Sequence, residues 1–273
     1  MQEGDTFMIK AIFFDIDGTL IDFETHSIPE STLQTLHKLQ AKGIKLCIAS
    51  GRPPVQLPLL GDVFNSYPWD GYILLNGQYC MDEHRERFYD CPISPDTFKT
   101  LVPYLKTVDY ACNVFELEKG YMTKMDEGTY MYYKSIGKLD RLLEVLDPER
   151  MYTHPTYQIC PRIPPERDAE FLQHAPHMKS ARWTDDFADM IPENGGKPEG
   201  VKIMLDKWGI KKEECMAFGD GGNDVSMLEF AGIGVAMGNA KEEVKSHADY
   251  VTTDCNDHGI YNAIRHFKVL EEE

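Results

Sequence analysis

The sequence predicts an α/β fold: a doubly wound, Rossmann-like parallel-sheet core interrupted by an inserted α+β unit. Three observations carry this. Apolar runs alternate with helical periodicity near the N-terminus, the same rhythm returns near the C-terminus, and the pattern between them is different. The division is expected to give a core of residues 1–80 and 191–273 and an insert of residues 81–190.

Ile9–Phe14 is an apolar run broken only by Lys10, long enough for one buried strand. A helix is expected from about Pro29 to Lys42, with Leu33, Leu36 and Leu39 on one face and Gly43 as its stop. Ile44–Ala49 and Tyr72–Leu75 read as further strands. Strand, helix and strand in that order imply a parallel sheet with right-handed crossovers. In the C-terminal part, Pro198–Trp208 reads as a helix, Cys215–Phe218 as a strand and Asp224–Phe230 as a helix. Ile233–Ala236, Lys241–Lys245, Tyr250–Thr252 and Gly259–Phe267 continue the alternation. In the middle, short strands (Tyr110–Phe115, Tyr157–Cys160, Lys179–Trp183) mix with helices (Thr97–Leu105, Lys138–Leu146, Glu166–Gln173). Pro192-Glu193-Asn194-Gly195-Gly196 reads as the linker back to the core.

Composition limits the function. Forty-five acidic residues against 28 basic ones give a net charge of −17, a field that repels phosphate backbones and anionic lipid. No nucleic-acid and no membrane partner is therefore expected; the chain is expected to act as a monomer or weak homodimer. No window approaches the roughly 18–20 consecutive apolar residues of a spanning helix. Met1–Phe7 includes Glu3 and Asp5 and lacks a basic stretch, so no secretory signal is expected, and Met8 is an alternative start. The seven cysteines are scattered without a Cys-x-x-Cys pair, which argues against zinc ribbons and disulfides and for a cytoplasmic setting.

The chemistry concentrates at strand ends, where a parallel α/β sheet binds its ligands. Asp15-Ile16-Asp17-Gly18-Thr19 follows the first strand directly. Two carboxylates so close at the exit of a buried strand repel each other unless a hard cation such as Mg²⁺ joins them. Asp17-Gly18 alone also reads as an ordinary turn. The second cluster, Gly219-Asp220-Gly221-Gly222-Asn223-Asp224, again follows a strand, so two strands of one sheet end in carboxylates. A capping role for Asn223 or Asp224 would explain one residue but not both clusters. Ser50-Gly51-Arg52 sets a hydroxyl, a flexible backbone and a cation after the second strand, before a helix beginning at Pro53 or Pro54. Arg52 reads equally as a substrate contact or as the partner of a surface acid. Lys197 opens the helix after the Gly-Gly turn. The dinucleotide fingerprint, the P-loop and the nucleophile elbow all fail on their glycine spacing, and His174 and His177 stand without a third metal ligand.

Together these residues resemble the four motifs of the haloacid dehalogenase superfamily of phosphotransferases, in order. Asp15-x-Asp17-Gly18-Thr19 looks like the first, Ser50 the second, Lys197 the third and Gly219-Asp220-x-x-Asn223-Asp224 the fourth. The resemblance is closest to the Cof-type phosphatases, through Asn76-Gly77, the run Phe218–Gly232, Gly234–Ala240 and Ala248-Asp249-Tyr250-Val251. About 120 residues between Asn76 and Lys197, enough for a whole small domain, are similar to the large cap that some members carry at the second insertion site. Between Leu20 and Pro29 there is no such room. The chain departs from the family where Gly196 and Pro198 flank the lysine; this makes Lys202 a rival, but it would fall inside the helix rather than at its N-terminus, so Lys197 is kept.

The resemblance implies a Mg²⁺-dependent phosphatase working through an aspartyl-phosphate. Asp15 would be the nucleophile and Asp17 the acid and base. Mg²⁺ would sit on Asp15, the Asp17 carbonyl and Asp220, with Asp224 behind them orienting Asp220 or a water. Ser50, Lys197, Asn223 and the Ile16 and Gly51 N–H groups would cradle the phosphoryl oxygens. Substrates would be sugar phosphates or phosphorylated cofactors. A hexose-phosphate mutase and a non-catalytic phospho-ligand sensor are the competing readings.

Overall fold

A computed structural model of the chain describes residues 8–135, 139 and 142–270. It divides into two compact units. One comprises the chain up to Gly51, Leu60–Asp90 and the chain from Gly196 on; the other comprises Arg52–Leu59 and Cys91–Gly195.

The first unit begins with β1 (Ala11–Phe14), α1 (Glu30–Ala41) and β2 (Lys45–Ala49). The helix expected at Pro53 or Pro54 is instead a 3₁₀ stretch, Pro54–Leu60, before α2 (Gly61–Ser66). Pro58 lies inside that stretch, and its missing N–H favours the tighter, shorter coil. β3 (Gly71–Leu74) then leads into a hairpin of β4 (Tyr79–Asp82) and β5 (Arg87–Asp90). The core sheet thus runs on to Asp90. Its turn is held by Asp82, whose Oδ1 accepts from the His84 and Glu86 N–H groups, with Arg85 at φ 60°.

The second unit comprises α3 (Pro95–Leu105), β6 (Cys112–Phe115), β7 (Gly120–Met122), α4 (Glu127–Ser135), β8 (Glu144–Val145), β9 (Gln158–Pro161), α5 (Asp168–His174), β10 (Met178–Ala181) and β11 (Asp189–Pro192). Its strands form one sheet ordered β10-β11-β9-β6-β7-β8. Phe98, Leu101, Val102 and Phe171 of α3 and α5 bury one face against Val114, Ile159 and Met190. Of the helix expected over Lys138–Leu146, residues 138, 140 and 141 lie outside the described residues, and Glu144–Val145 is a strand paired parallel to Tyr121–Met122. The Leu146 N–H extends that pairing to the Met122 carbonyl, and Asp147, extended before Pro148, cannot continue a helix. The Tyr132 side chain, Met1–Phe7 and the Glu271–Glu273 tail also lie outside the described residues.

The chain returns to the first unit with α6 (Lys197–Trp208), β12 (Cys215–Gly219), α7 (Val225–Phe230), β13 (Ile233–Ala236), α8 (Glu242–Lys245), β14 (Tyr250–Val251) and α9 (Gly259–His266). The sheet order is β14-β13-β12-β1-β2-β3-β4-β5, parallel from β14 to β3 and antiparallel beyond. Side chains alternate across it. Ala11, Phe13, Cys47 and Ala217 pack under Val201, Met204, Met227 and Leu228 of α6 and α7. α1 and α9 pack together, and their Leu36, Leu39 and Ile264 are buried with Ile12, Phe14 and Leu46. Helices cover both faces, and the carboxyl ends of β1, β2 and β12 lie together at one rim of the sheet. All seven cysteines are free, and all but Cys91 are buried. Among the described residues no helix is long and apolar enough to cross a membrane.

Candidate active site

Three neighbouring parallel strands, β12, β1 and β2, end at one rim, and their register brings the two acidic clusters together. Phe14 lies opposite Phe218 and Ile48, and the Asp15 N–H donates to the Phe218 carbonyl at 3.0 Å. Beyond Asp15 the chain folds back at once. The Leu20 and Ile21 N–H groups both donate to the Ile16 carbonyl, and the Gly18 N–H donates to Ile21. Gly18 makes this turn at φ +84°, and a Cβ there would stand 2.3 Å from Asp220 Oδ2. Only glycine fits, because both the backbone angle and the approach of the Asp220 carboxylate exclude a side chain.

Lys197 is the centre of charge. Its side chain is fully buried, and Nζ lies 2.6 Å from Asp15 Oδ1 and 2.5 Å from Asp224 Oδ1. Burial works against the ammonium, but the two carboxylates outweigh it and raise its pKa above the ordinary value of 10.5, so Lys197 is held charged. Lys202, the rival, lies exposed on α6. Gly196, at φ +118°, turns the chain into the helix so that the lysine at its first position points into the rim.

Asp224 also uses its second oxygen. Oδ2 accepts from the Asp220 N–H at 3.1 Å and from the Gly221 N–H at 2.9 Å, which fixes the loop after β12. The Asp220 side chain is held by Thr19, whose hydroxyl donates to Oδ1 at 2.8 Å. Oxygens of Asp15, Asp220 and Asp224 all lie within 4.8 Å of one another. Burial, with the Asp224 and Asp17 carboxylates adding and Lys197 opposing, pushes the Asp15 carboxyl up to about 7. Burial and the neighbouring Asp15 and Asp224 push Asp220 up to about 8. One lysine does not balance three clustered carboxylates. Hard oxygen donors crowded at one spot and reluctant to ionise together suit a divalent cation such as Mg²⁺, so the residues present fit that ion.

Asp17 is half-buried in the turn after β1, and Ile16 is buried beside it. Ser50 is 2 % exposed at the end of β2, its N–H bonded to the Ile73 carbonyl; Gly51 is half-buried after it. Asn223 donates its side-chain N–H to Asn76 Oδ1 at 3.0 Å. Arg52 is half-buried and groups with the second compact unit.

Three residues to which the sequence alone assigned no task support this rim. Thr19 orients Asp220, and Asn76 meets Asn223. Asn239 donates to the Gly18 carbonyl and accepts from the Cys255 N–H, both at 2.9 Å, so it clamps the turn that carries Asp17. Thr19, Asn76 and Asn239 all stand inside stretches that carry the family resemblance, which was the available signal.

The family of haloacid dehalogenase-like hydrolases matches residues 12–264. The solved structure of BT4131, described as a sugar phosphatase of subclass IIB of this superfamily, is 38% identical and covers 96% of this chain and 100% of its own, with a TM-score of 0.87. BT1666 of Bacteroides thetaiotaomicron, described as a phosphatase of the same superfamily, is 32% identical and covers 99% of this chain and 98% of its own, with a TM-score of 0.89. Among curated proteins, the 5-amino-6-(5-phospho-D-ribitylamino)uracil phosphatase YbjI of Escherichia coli (strain K12) is 28% identical over 97% of both chains. With the carboxylate rim, its buried lysine and this likeness over nearly the whole length, the chain belongs to the haloacid dehalogenase-like hydrolases and is a phosphatase among them.

Proposed function

We propose that the chain hydrolyses small phosphorylated metabolites, sugar phosphates or phosphorylated cofactors, with Mg²⁺ and through an aspartyl-phosphate on Asp15. The observation that carries this reading is Lys197 lodged between Asp15 and Asp224, beside Asp220. A buried ammonium beside a strand-end carboxylate opposes its protonation and so favours the anionic nucleophile.

Asp15 attacks phosphorus in line with the leaving oxygen, forming the Asp15–phosphorus bond as the ester P–O bond breaks. Asp17 donates its proton to the departing alkoxide, then takes one from the water that cleaves the acyl-phosphate and returns Asp15 to its starting state. Ser50, Asn223, Lys197 and the Ile16 and Gly51 N–H groups hold the three equatorial oxygens. Asp15, the Asp17 carbonyl and Asp220 would hold Mg²⁺, which would supply positive charge to offset the charge of the transferring group. Asp224 positions Lys197 and the Asp220 loop. Local cations also account for an anionic substrate on a protein of net charge −17. Substrate selection is assigned to the second compact unit, acting as a cap, and the seven free cysteines favour a cytoplasmic setting.

The test is phosphate release from a panel of phosphorylated metabolites, with and without Mg²⁺, for wild type and Asp15→Asn. Metal-dependent turnover abolished in the variant is the expected result. Absence of release from every ester by folded wild type would overturn the reading, and transfer to added sugar phosphate would redirect it to a mutase.

A further inference from the structure

Asn76 joins three of the four loops that meet at the rim. Its N–H donates to the Ser50 carbonyl at 3.0 Å, and its carbonyl accepts from the Gly196 N–H at 2.8 Å, next to Lys197. Its side-chain Oδ1 accepts from Asn223 Nδ2, 147 residues away. The residue is 1 % exposed, and both it and Leu75 have left-handed backbone angles, φ 54° and 53°. A leucine in that region is unfavourable and an asparagine tolerable, so this bend is imposed by what surrounds it. Gly77 follows at φ +93°, and a Cβ there would stand 2.0 Å from the Gly196 carbonyl oxygen. The chain after β3 is therefore pressed against the chain that leads into α6.

We propose that Asn76 is a positioning residue for phosphoryl binding, its side-chain oxygen fixing which end of the Asn223 amide faces the phosphate. The inference rests on the reading of Asn223 as a phosphate ligand. An amide can present either its oxygen or its N–H₂ group, and only the latter attracts a phosphoryl oxygen. A fixed acceptor at Asn76 binds one N–H and commits the amide to a single orientation. Without it, rotation costs Asn223 part of its pre-organisation.

The experiment is a double-mutant cycle of Asn76→Gly and Asn223→Ala, read as kcat/KM for the best ester and as thermal stabilisation by inorganic phosphate with Mg²⁺. Glycine accepts the left-handed backbone, so the side chain with its acceptor is removed without backbone strain. Loss of that bond is expected to lower kcat/KM about ten-fold, mostly through KM, and to add little on the Asn223→Ala background. Equal losses on both backgrounds, or no loss at all, would overturn the proposal. Asn76→Asp, which keeps an acceptor oxygen, is the second variant: it should retain more activity than Asn76→Gly, and an equal loss counts against the proposal. If wild type neither releases phosphate nor is stabilised by it, the phosphatase site itself fails, and Asn76 with it.

Discussion

Lys197 Nζ touches Asp15 and Asp224 at 2.6 and 2.5 Å, while its side chain is wholly removed from solvent. The pair Lys197–Asp15 is therefore two things at once, a piece of the site and a buried ion pair of the core. Its two roles can be separated by experiment, because a buried charge that loses its partner costs stability whatever the chemistry does.

Replacing Lys197 by Met keeps the stem packed and removes the charge. It leaves Asp15 and Asp224 facing each other without a counter-ion, so one must take up a proton. Breaking a buried pair costs about 3–5 kcal/mol. Urea unfolding at pH 7 without metal should show a loss of that order, with phosphatase activity abolished. A loss below about 1 kcal/mol, the range of an exposed pair, would mean that the lysine is not committed to the carboxylates as described.

Much of this site was legible in the sequence, for a physical reason. In a parallel sheet the strand ends converge, so carboxylates just after Phe14 and Phe218 had to share a rim once the strands were recognised. The tasks of Thr19, Asn76 and Asn239 were not legible, because each reaches the rim through a side-chain bond to a residue 147 to 221 positions away. No local pattern encodes such a bond. Position favours Lys197, at the start of its helix, over Lys202 inside it, and burial agrees, with Lys197 enclosed and Lys202 exposed. The fold misses have local causes. The hairpin Tyr79–Asp90 turns through Arg85 with no glycine to mark it, and Glu144–Val145 reads as helix until the β7 edge claims its backbone. Pro58 shortened the expected helix after Ser50 into a 3₁₀ coil.

Two glycines with nearly the same backbone angle distinguish strain from crowding. Gly18 has φ +84° and Gly43 φ +81°; a Cβ on Gly43 meets nothing within 4 Å, whereas on Gly18 it collides with Asp220. Gly43→Ala should cost only the backbone preference, about 1–2 kcal/mol, with kcat unchanged. Gly18→Ala carries the same strain and also displaces the Asp220 carboxylate, so its Mg²⁺ requirement should rise at least ten-fold. Titrating activity against Mg²⁺ for the two variants decides this; equal metal requirements would show that Gly18 serves the turn alone.

The proposed metal site should couple metal binding to pH. The folded-state values of Asp15 and Asp220, about 7 and about 8, lie above the ordinary 3.8 of an unfolded aspartate. The folded, metal-free protein thus holds protons that the unfolded chain has released. This contribution to stability is fully present below about pH 4 and is lost as the pH rises through about 7 to 8. A bound divalent cation replaces those protons, so stabilisation by Mg²⁺ should be larger at pH 8.5 than at pH 6. Thermal melts with Mg²⁺ and with EDTA at the two pH values test the sign. A shift that is equal at both, or larger at pH 6, would show that these carboxyls do not exchange protons for metal.

The two aspartates of the first motif should fail in different ways. On the proposed mechanism Asp15→Asn removes the nucleophile and should abolish turnover of every ester. Asp17→Asn removes only a proton donor and acceptor, and its cost depends on the leaving group. An alkoxide needs the proton, but p-nitrophenolate leaves without one. With p-nitrophenyl phosphate and Mg²⁺, the Asp17→Asn enzyme should still form the Asp15 acyl-phosphate, then stall because no base activates the hydrolytic water. Rapid mixing should show a burst approaching one nitrophenolate per chain, followed by slow turnover, with acid-trapped phosphate on the protein. Asp15→Asn should give neither burst nor trapped phosphate. A linear time course for Asp17→Asn, at a rate as low as that of Asp15→Asn, would place Asp17 outside proton transfer and leave it as part of the metal-binding turn.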